Sequence, residues 1–393
     1  MRPFDVAVIG AGPAGSSTAI TLARNGIAAV LLDRACFPRH KLCGDFLNPI
    51  NWPLLDDLGV ADTLCECQPV KISRFAISTS HGRIAAGPLP IQHALHTGLG
   101  VRRSVFDNIL VERAKRAGVA VEEGCNVTAI SREKSGWSIN CRGPAGHQTR
   151  HARVLVAADG RNSRTARQLG LDIAQPGSGG SVGFQMQLNL ASGLGDSVEI
   201  HQFSGGYAGL LRLDRETVNL AFSIRRSCLH APTSFQSLRK RYLDGNPALR
   251  ELLLSAEPCG ALRSVWPVYF PARRRFGKGF LLVGDAAQVT EPITGEGVYF
   301  ALRSGQLAAE SIAAGLREAK SPAIELAQYE TACRRAFNKR TRLNACMRML
   351  MNHRPLLSAM TSLLGRQDKL FSALVRQVCG GAPIGAPPHQ TFA

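Results

Sequence analysis

Apolar runs, alternating runs and helical spacings follow one another along the chain, and each predicts a different element. Phe4–Ile9 is a short apolar strand. Pro13–Asn25 carries Ala14, Thr18, Ile20, Leu22 and Ala23 at helical spacing, and Gly26 stands where a glycine ends a helix. Ile27–Leu32 is a second apolar strand, ending at Asp33. This is a β-α-β unit whose strands are largely apolar, as buried parallel strands are. Mixed strands follow near Val70–Ser78 and Arg83–Ala86, then a helix over Val105–Ala117. Short strands cover Val119–Glu122, Asn126–Ser131 and Trp137–Cys141, and Arg153–Ala158 is another apolar strand. From Gly180 to Arg226 the pattern turns to period-two alternation broken by glycines such as Gly205 and Gly206, which predicts an antiparallel sheet. Gly279–Val283 returns to the parallel type, and a long helix runs from about Thr294 to Ala314.

These elements predict an α/β (α+β) protein in discontinuous units. Residues 1–70, 100–170 and 275–320 form a Rossmann-like nucleotide-binding domain. Residues 71–99 and 171–274 form an inserted antiparallel-sheet domain, 321–380 a basic helical segment, and 381–393 a loose tail rich in Gly and Pro. With 393 residues, 45% of them hydrophobic and 19% charged, the chain can bury a full core and is not expected to be disordered.

The eleven cysteines contain no CxxC pair and no zinc-site spacing, so neither a metal nor a disulfide framework is expected. The N-terminus enters a strand at once without a signal-peptide pattern, and no run of about 18 apolar residues occurs. A cytoplasmic setting is the expectation. The net charge is +18, and half of that excess lies between Thr331 and Gly380, where the only acid is Asp368. No nucleic-acid motif accompanies these bases, so a nucleic-acid partner is not expected.

The chemistry begins at the turn between the first strand and helix. Gly10, Gly12 and Gly15 form G-x-G-x-x-G. The first glycine makes the tight turn, the second lets backbone N–H groups approach a pyrophosphate, and the third lets helix and strand pack closely. The helix N-terminus faces the phosphates with its positive end. Asp33, closing the second strand, stands where an acid bonds ribose hydroxyls. The fingerprint alone does not separate FAD from NAD. Two later stretches do: Val156-Ala157-Ala158-Asp159-Gly160-x-x-Ser163, and Gly284-Asp285-Ala286-Ala287 leading into Pro292-x-x-Gly295-x-Gly297.

With these three motifs in this order, residues 1 to about 320 resemble the flavoprotein superfamily of aromatic-ring hydroxylases, flavin-dependent halogenases and geranylgeranyl reductases. The resemblance implies FAD as cofactor and a Rossmann-like FAD-binding domain of the aromatic-hydroxylase type with an inserted substrate domain. It also implies roles. Asp285 bonds the ribityl chain, and the helix starting near Thr294 points its N-terminus at the pyrimidine end of the flavin. Gly295 and Gly297 let the ring lie against the backbone. Asp159 and Gly160 shape the turn beside the pyrophosphate, and Arg103 packs along FAD. The bland readings are helix capping for Asp159 and a surface helix start for Arg103. Ala14, Arg34, Cys43, Gly44, Gly284, Pro292 and Glu296 complete the positions expected to line the cofactor.

Pro292-Ile293-Thr294-Gly295-Glu296-Gly297 and Lys41-Leu42-Cys43-Gly44 look most like the geranylgeranyl-reductase branch. Hydroxylases usually carry His where Gln288 stands. Halogenases have Gly-Glu-Ser in place of the cysteine segment, and a Trp-x-Trp-x-Ile-Pro motif where this chain offers only Val265-Trp266-Pro267. One departure is plain: Gly206-Tyr207-Ala208-Gly209-Leu210-Leu211 lacks the Trp of the reductases' aromatic segment. The implied activity is reduction of carbon–carbon double bonds in a lipophilic, isoprenoid or polyketide-like, substrate. A monooxygenase working through a flavin hydroperoxide is the alternative, with a halogenase or a non-catalytic flavoprotein behind it.

Cys43 is the candidate proton donor, with Lys41 or His40 placed to lower its pKa; the bland reading is a small residue packing the loop. Val182, Phe184, Leu211, Leu220 and Phe222 are expected to supply an apolar substrate roof, shared with ordinary core. No second dinucleotide fingerprint exists, so NADPH or NADH would act as a transient electron donor, with a quinol or ferredoxin equally open. The basic C-terminal segment repeats leucines and methionines at roughly helical spacing. It reads as helices docked on the protein, or as a peripheral membrane element on the inner face of a membrane.

Overall fold

The computed structural model describes residues 3–82, 84–90, 97–172, 180–190, 193–230, 234–318, 326–364 and 367–380. The expected loose tail, 381–393, lies outside them. Three sheets organise the chain. The first runs, in spatial order, Phe276–Gly277, Phe280–Leu282, Gly146–Ala157, Phe4–Ile9, Ala29–Leu32 and Ala120–Glu122. Its central pairings are parallel, with Val8 opposite both Val156 and Leu31. Those strands are buried on both faces, which is why they read as unbroken apolar runs. Asn126–Glu133 and Gly136–Gly143 extend Gly146–Ala157 as an antiparallel meander. The apolar stretch expected at Arg153–Ala158 is thus the end of a longer strand.

The fingerprint helix, Pro13–Arg24, lies across this sheet beside the long helix Gly297–Glu318. Small residues make the crossing close. A Cβ on Gly305 would stand 2.5 Å from the Ala14 carbonyl oxygen, and Ser17 Oγ donates to Leu302 O at 2.8 Å. The long helix starts at Gly297, not near Thr294. Pro292–Thr294 is a separate 3-10 turn, ended by Gly295 in the left-handed region at φ +63°.

The second sheet runs Glu257–Pro258, Ser181–Asn189, Thr217–Arg225, Gly206–Arg212, Ser197–Phe203, Arg74–Ser78 and Ile84–Pro88, with Arg263–Val265 beside Ser181–Asn189. A small third sheet of Phe46–Leu47, Gly98–Gly100 and Val70–Ile72 connects the two. The expected apolar roof needs correction. Phe184 and Phe222 stack at 5.1 Å and, with Leu220, share a core cluster with Leu238 and Leu249 of helices Phe235–Arg241 and Pro247–Leu254. Those helices, like Trp52–Leu58 and Ala61–Glu66, were not expected from the sequence. Because strand side chains alternate, the residues next to Phe184 and Leu220 point the other way, and these are Gln185 and Asn219.

The basic segment forms helices Ala327–Asn352, Arg354–Leu364 and Asp368–Cys379. The first docks by its N-terminal half on the nucleotide-binding domain. Phe337 stacks on Phe300 at 4.6 Å, and the Tyr329 hydroxyl donates to Leu282 O at 2.9 Å. Met347, Leu350 and Phe371 share an apolar cluster with the substrate sheet. No described helix is long and apolar enough to cross a membrane.

Candidate functional site

The fingerprint loop opens on a cleft of about 570 Å³ lined by Gly10, Gly12, Asp33, Arg34, Asp159 and Gly160. Gly10 has φ +105°, and Gly15 lies so close beneath it that a Cβ would sit 1.8 Å from Gly10 O. Asp33 accepts from Ala11 N at 2.7 Å and from Ala35 N at 2.8 Å, which fixes its carboxylate across the loop. Asp159 accepts from Ser163 Oγ at 2.5 Å and Thr165 N at 3.0 Å, so it braces the Ser163 cap of the following helix while lining the cleft. Gly160 has φ +81°.

Cations converge on this cleft. Arg39 Nη2 stands 3.4 Å from where a Cβ on Gly12 would be, and Lys41 Nζ stands 3.4 Å from the same point on Gly160. Burial pulls the Lys41 ammonium pKa down, and Asp285 opposes that shift. Asp285 also lies 3.7 Å from Arg161. A desolvated ammonium and two guanidiniums over glycine turns are what a pyrophosphate needs, so the residues present fit FAD. Arg103 is no surface residue. It binds Asp107 through Nε at 2.7 Å and Nη2 at 2.8 Å, and Asp107 is 0% exposed and also meets Arg39 at 3.3 Å.

Cys43 lies between this ion-pair cluster and the substrate sheet. Its N–H donates to Gln185 Oε1 at 3.4 Å, and its carbonyl accepts from Asn219 Nδ2 at 3.0 Å. The expectation that Lys41 or His40 would lower its pKa is overturned. Burial pushes the thiol up, and the cation opposing that is Arg103. Burial thus favours the neutral thiol over the thiolate.

Two residues on, Asp45 sits at φ +55° with its side chain buried. It accepts from Arg103 N and Gln185 Nε2, both at 3.2 Å, and Gln185 Nε2 also reaches Asn219 Oδ1 at 2.9 Å. Burial raises the Asp45 carboxyl from an ordinary 3.8 to about 7, against the pull of Arg103. A pKa raised on folding favours the folded state fully below pH ~4, and that stabilisation is lost as pH rises towards 7. Asp45→Asn keeps the neutral form, so the flavin-free variant is expected to gain stability over wild type at pH 8. The shift corresponds to an upper figure of about 4 kcal/mol, with a smaller gap at pH 5. Thermal melts at the two pH values check this; a gap that does not widen with pH refutes it.

The segment Gly284–Gly297 does not line this cleft; it packs against the fingerprint helix and the Phe46 strand. Gly284, at φ +55°, packs so tightly that a Cβ would stand 2.7 Å from the Ala14 Cβ. At Gly295 a Cβ would stand 2.7 Å from the Phe46 ring, so this glycine serves the join between the Phe46–Leu47 strand and the Pro292–Thr294 turn. Gly297 has open space around it, and the helix N-terminus faces outward there. Pro292 is exposed, while the Glu296 carboxylate, 0% exposed, turns inward to pair with Arg340 and not into the cleft.

Asn344 braces the same turn. Its Oδ1 accepts from Glu291 N at 2.9 Å, and its Nδ2 donates to Glu291 O at 2.9 Å and to Thr294 Oγ1 at 2.8 Å. Tyr207 donates to Glu291 Oε1 at 2.6 Å from the substrate sheet. Asp45, Gln185, Asn219, Arg340, Asn344 and Tyr207 were all missed by sequence reasoning. The available signal was weak: an acid directly after Cys43-Gly44, and polar residues interrupting apolar strands. Elsewhere, ligand atoms of Glu122, Cys125 and Cys141 lie within 4.8 Å of one another, but Glu122 already pairs with Arg150 at 2.7 Å.

The comparisons agree with this geometry. Residues 3–205 match the family described as FAD binding domain. A digeranylgeranylglycerophospholipid reductase of Methanopyrus kandleri is 29% identical over 345 residues, covering 86% of this chain and 83% of that protein. A menaquinone reductase of Mycolicibacterium smegmatis is 30% identical over 331 residues, covering 79% and 76%. A solved flavin-dependent brominase shares the fold with a TM-score of 0.79 at 20% identity, covering 96% of this chain and 94% of that one. The cleft, its cations and these relatives lead to one assignment: the chain belongs to the FAD-binding-domain family and is an FAD-dependent oxidoreductase of the geranylgeranyl-reductase-like kind.

Proposed function

We propose that the protein reduces carbon–carbon double bonds of a lipophilic, isoprenoid or polyketide-like substrate. The observation that carries this reading is the placement of Cys43. Its backbone N–H and carbonyl are held by Gln185 and Asn219 of the second sheet, and burial pushes its thiol towards the neutral form against Arg103. The names of the two reductase relatives support it. Bound FAD, once reduced, supplies a hydride. Cys43 Sγ gives a proton to the alkene carbon that does not receive that hydride, and Arg103 faces the thiolate left behind. The Gly10–Gly15 loop, Arg39 and Lys41 hold the pyrophosphate, and Asp285 the ribityl chain. NADPH or NADH is the proposed transient electron donor, to be separated from a quinol or a reduced ferredoxin by which of them bleaches the flavin anaerobically.

Cys43→Ser is expected to keep its FAD and its rate of flavin reduction while losing about a hundredfold or more in anaerobic alkene reduction. The brominase fold keeps oxygen chemistry as the second reading. Turnover that needs oxygen and adds one oxygen atom to the product would overturn the reductase proposal, and an unchanged Cys43→Ser rate would remove the thiol from it.

A further inference from the structure

The C-terminal helices bury one face and leave another uncovered. Among the described residues the exposed large hydrophobics are Val105, Leu254, Met349, Leu356, Leu363 and Leu370, and the last four lie in this one segment. Within Arg354–Leu364, Leu356, Ala359 and Leu363 recur at spacings of three and four, and all are exposed. Leu357 and Thr361, at 0% and 1% exposure, face inward, so the outer stripe is distinct from the core stripe. A helix docked only on its own protein turns polar residues outward; this one turns leucines outward.

The charge around that stripe has one sign. Arg342, Lys369 and Arg376 of the same three C-terminal helices are exposed, and Asp368 is the sole acid between Thr331 and Gly380. Leucines flanked by cations match an anionic lipid surface, whose headgroups meet the bases while the acyl boundary takes the apolar side chains. Pairing with a second copy of the chain would instead bring two equally basic faces together.

The same helices lead inward. Phe371 packs on Phe75 with ring centroids 6.1 Å apart, and a Cβ on Gly87 would stand 2.7 Å from its ring. Leu357 and Met347 share one apolar cluster with Ile293, next to the flavin-facing turn.

We propose that helices Arg354–Leu364 and Asp368–Cys379 dock on an anionic phospholipid bilayer through Leu356, Leu363 and Leu370. Docking places these helices between the lipid and the Arg74–Ser78 and Ile84–Pro88 edge of the sheet; that this lipid delivers the substrate rests on the reductase reading above. The test is flotation of the full-length, FAD-loaded protein with vesicles of phosphatidylcholine alone or mixed with phosphatidylglycerol, with no substrate present. The protein is expected to float with the anionic vesicles and to be weakened by salt. The double substitution Leu356→Ser/Leu363→Ser is expected to lower binding about tenfold or more while keeping its FAD. Failure of the wild type to float overturns the proposal, as does equal flotation of the double variant. A lipid-independent dimer that the double variant abolishes assigns the stripe to a second copy and overturns it too. Because no turnover is read, loss of the reductase reading and loss of this one remain separable.

Discussion

Gly15→Ala is expected to yield a protein that retains no flavin. A Cβ there would lie 1.8 Å from Gly10 O and 3.1 Å from the Ala158 Cβ. The first contact is with backbone, so no side-chain rotation relieves it. Either the fingerprint helix moves off the sheet or Gly10 leaves its φ of +105°, and both destroy the turn that presents N–H groups to the pyrophosphate. The helix also packs through Ala14 against Gly284 and bonds through Ser17 to Leu302, so a shift spreads to Asp285 beside Gly284. The measurement is the flavin-to-protein ratio after purification and again after reconstitution with excess FAD. Gly26→Ala is the control. It has φ +72° but nothing within 4 Å, so it should cost about 1 kcal/mol of stability and keep its flavin. Equal flavin loss in both variants would show general unfolding instead of a fingerprint effect.

Arg340→Met should destabilise the protein by about 3 kcal/mol or more and weaken FAD retention. Glu296 is fully buried, and its carboxyl pKa is already raised by burial, with Arg340 opposing. Removing one partner of such a pair leaves an uncompensated buried charge, which is the costly case for buried salt bridges. Arg340 also donates to Gly380 O at 3.1 Å and lies over the Tyr299 ring at 5.0 Å, so Lys is not an adequate substitute. Adding Glu296→Leu to Arg340→Met should restore much of the stability, because the orphaned charge goes with it. Urea midpoints for the two single variants and the double variant decide this. A double variant no more stable than Arg340→Met would refute the buried-charge account.

The contrast between these two sites shows what was legible in sequence. Gly10, Gly12, Gly15 and Asp33 lie within one strand–turn–helix–strand unit, where local periodicity places each residue. The Glu296–Arg340 pair joins positions 44 apart, and Asn219 reaches the Cys43 carbonyl across 176. No local period carries that information. Parity misled in another way. Alternation along Ser181–Asn189 was read, but which face is core depended on helices at Phe235–Arg241 and Pro247–Leu254 that claimed Phe184 and Phe222. The start of the long helix moved to Gly297 because Gly295 adopts a left-handed conformation that helical spacing does not announce. For Cys43 the sequence suggested cations that would lower the thiol pKa, but the direction of the shift is set by the depth of its surroundings, which no local pattern carries.

The wiring of the central sheet has a consequence for synthesis. Phe4–Ile9 gains a parallel partner on one side from Ala29–Leu32 at once, but on the other only when Gly146–Ala157 arrives. The next strand outward, Phe280–Leu282, comes later still, and the fingerprint helix waits for Leu302 before Ser17 finds its acceptor. Such long-range pairing is slow and leaves apolar strand edges open in the meantime. The nascent chain therefore emerges from the ribosome with its glycine loop made long before the residues that pack behind the fingerprint helix. The fingerprint helix reaches its full packing only when Gly284, Leu302 and Gly305 are out, so aggregation competes with folding over most of the chain's length.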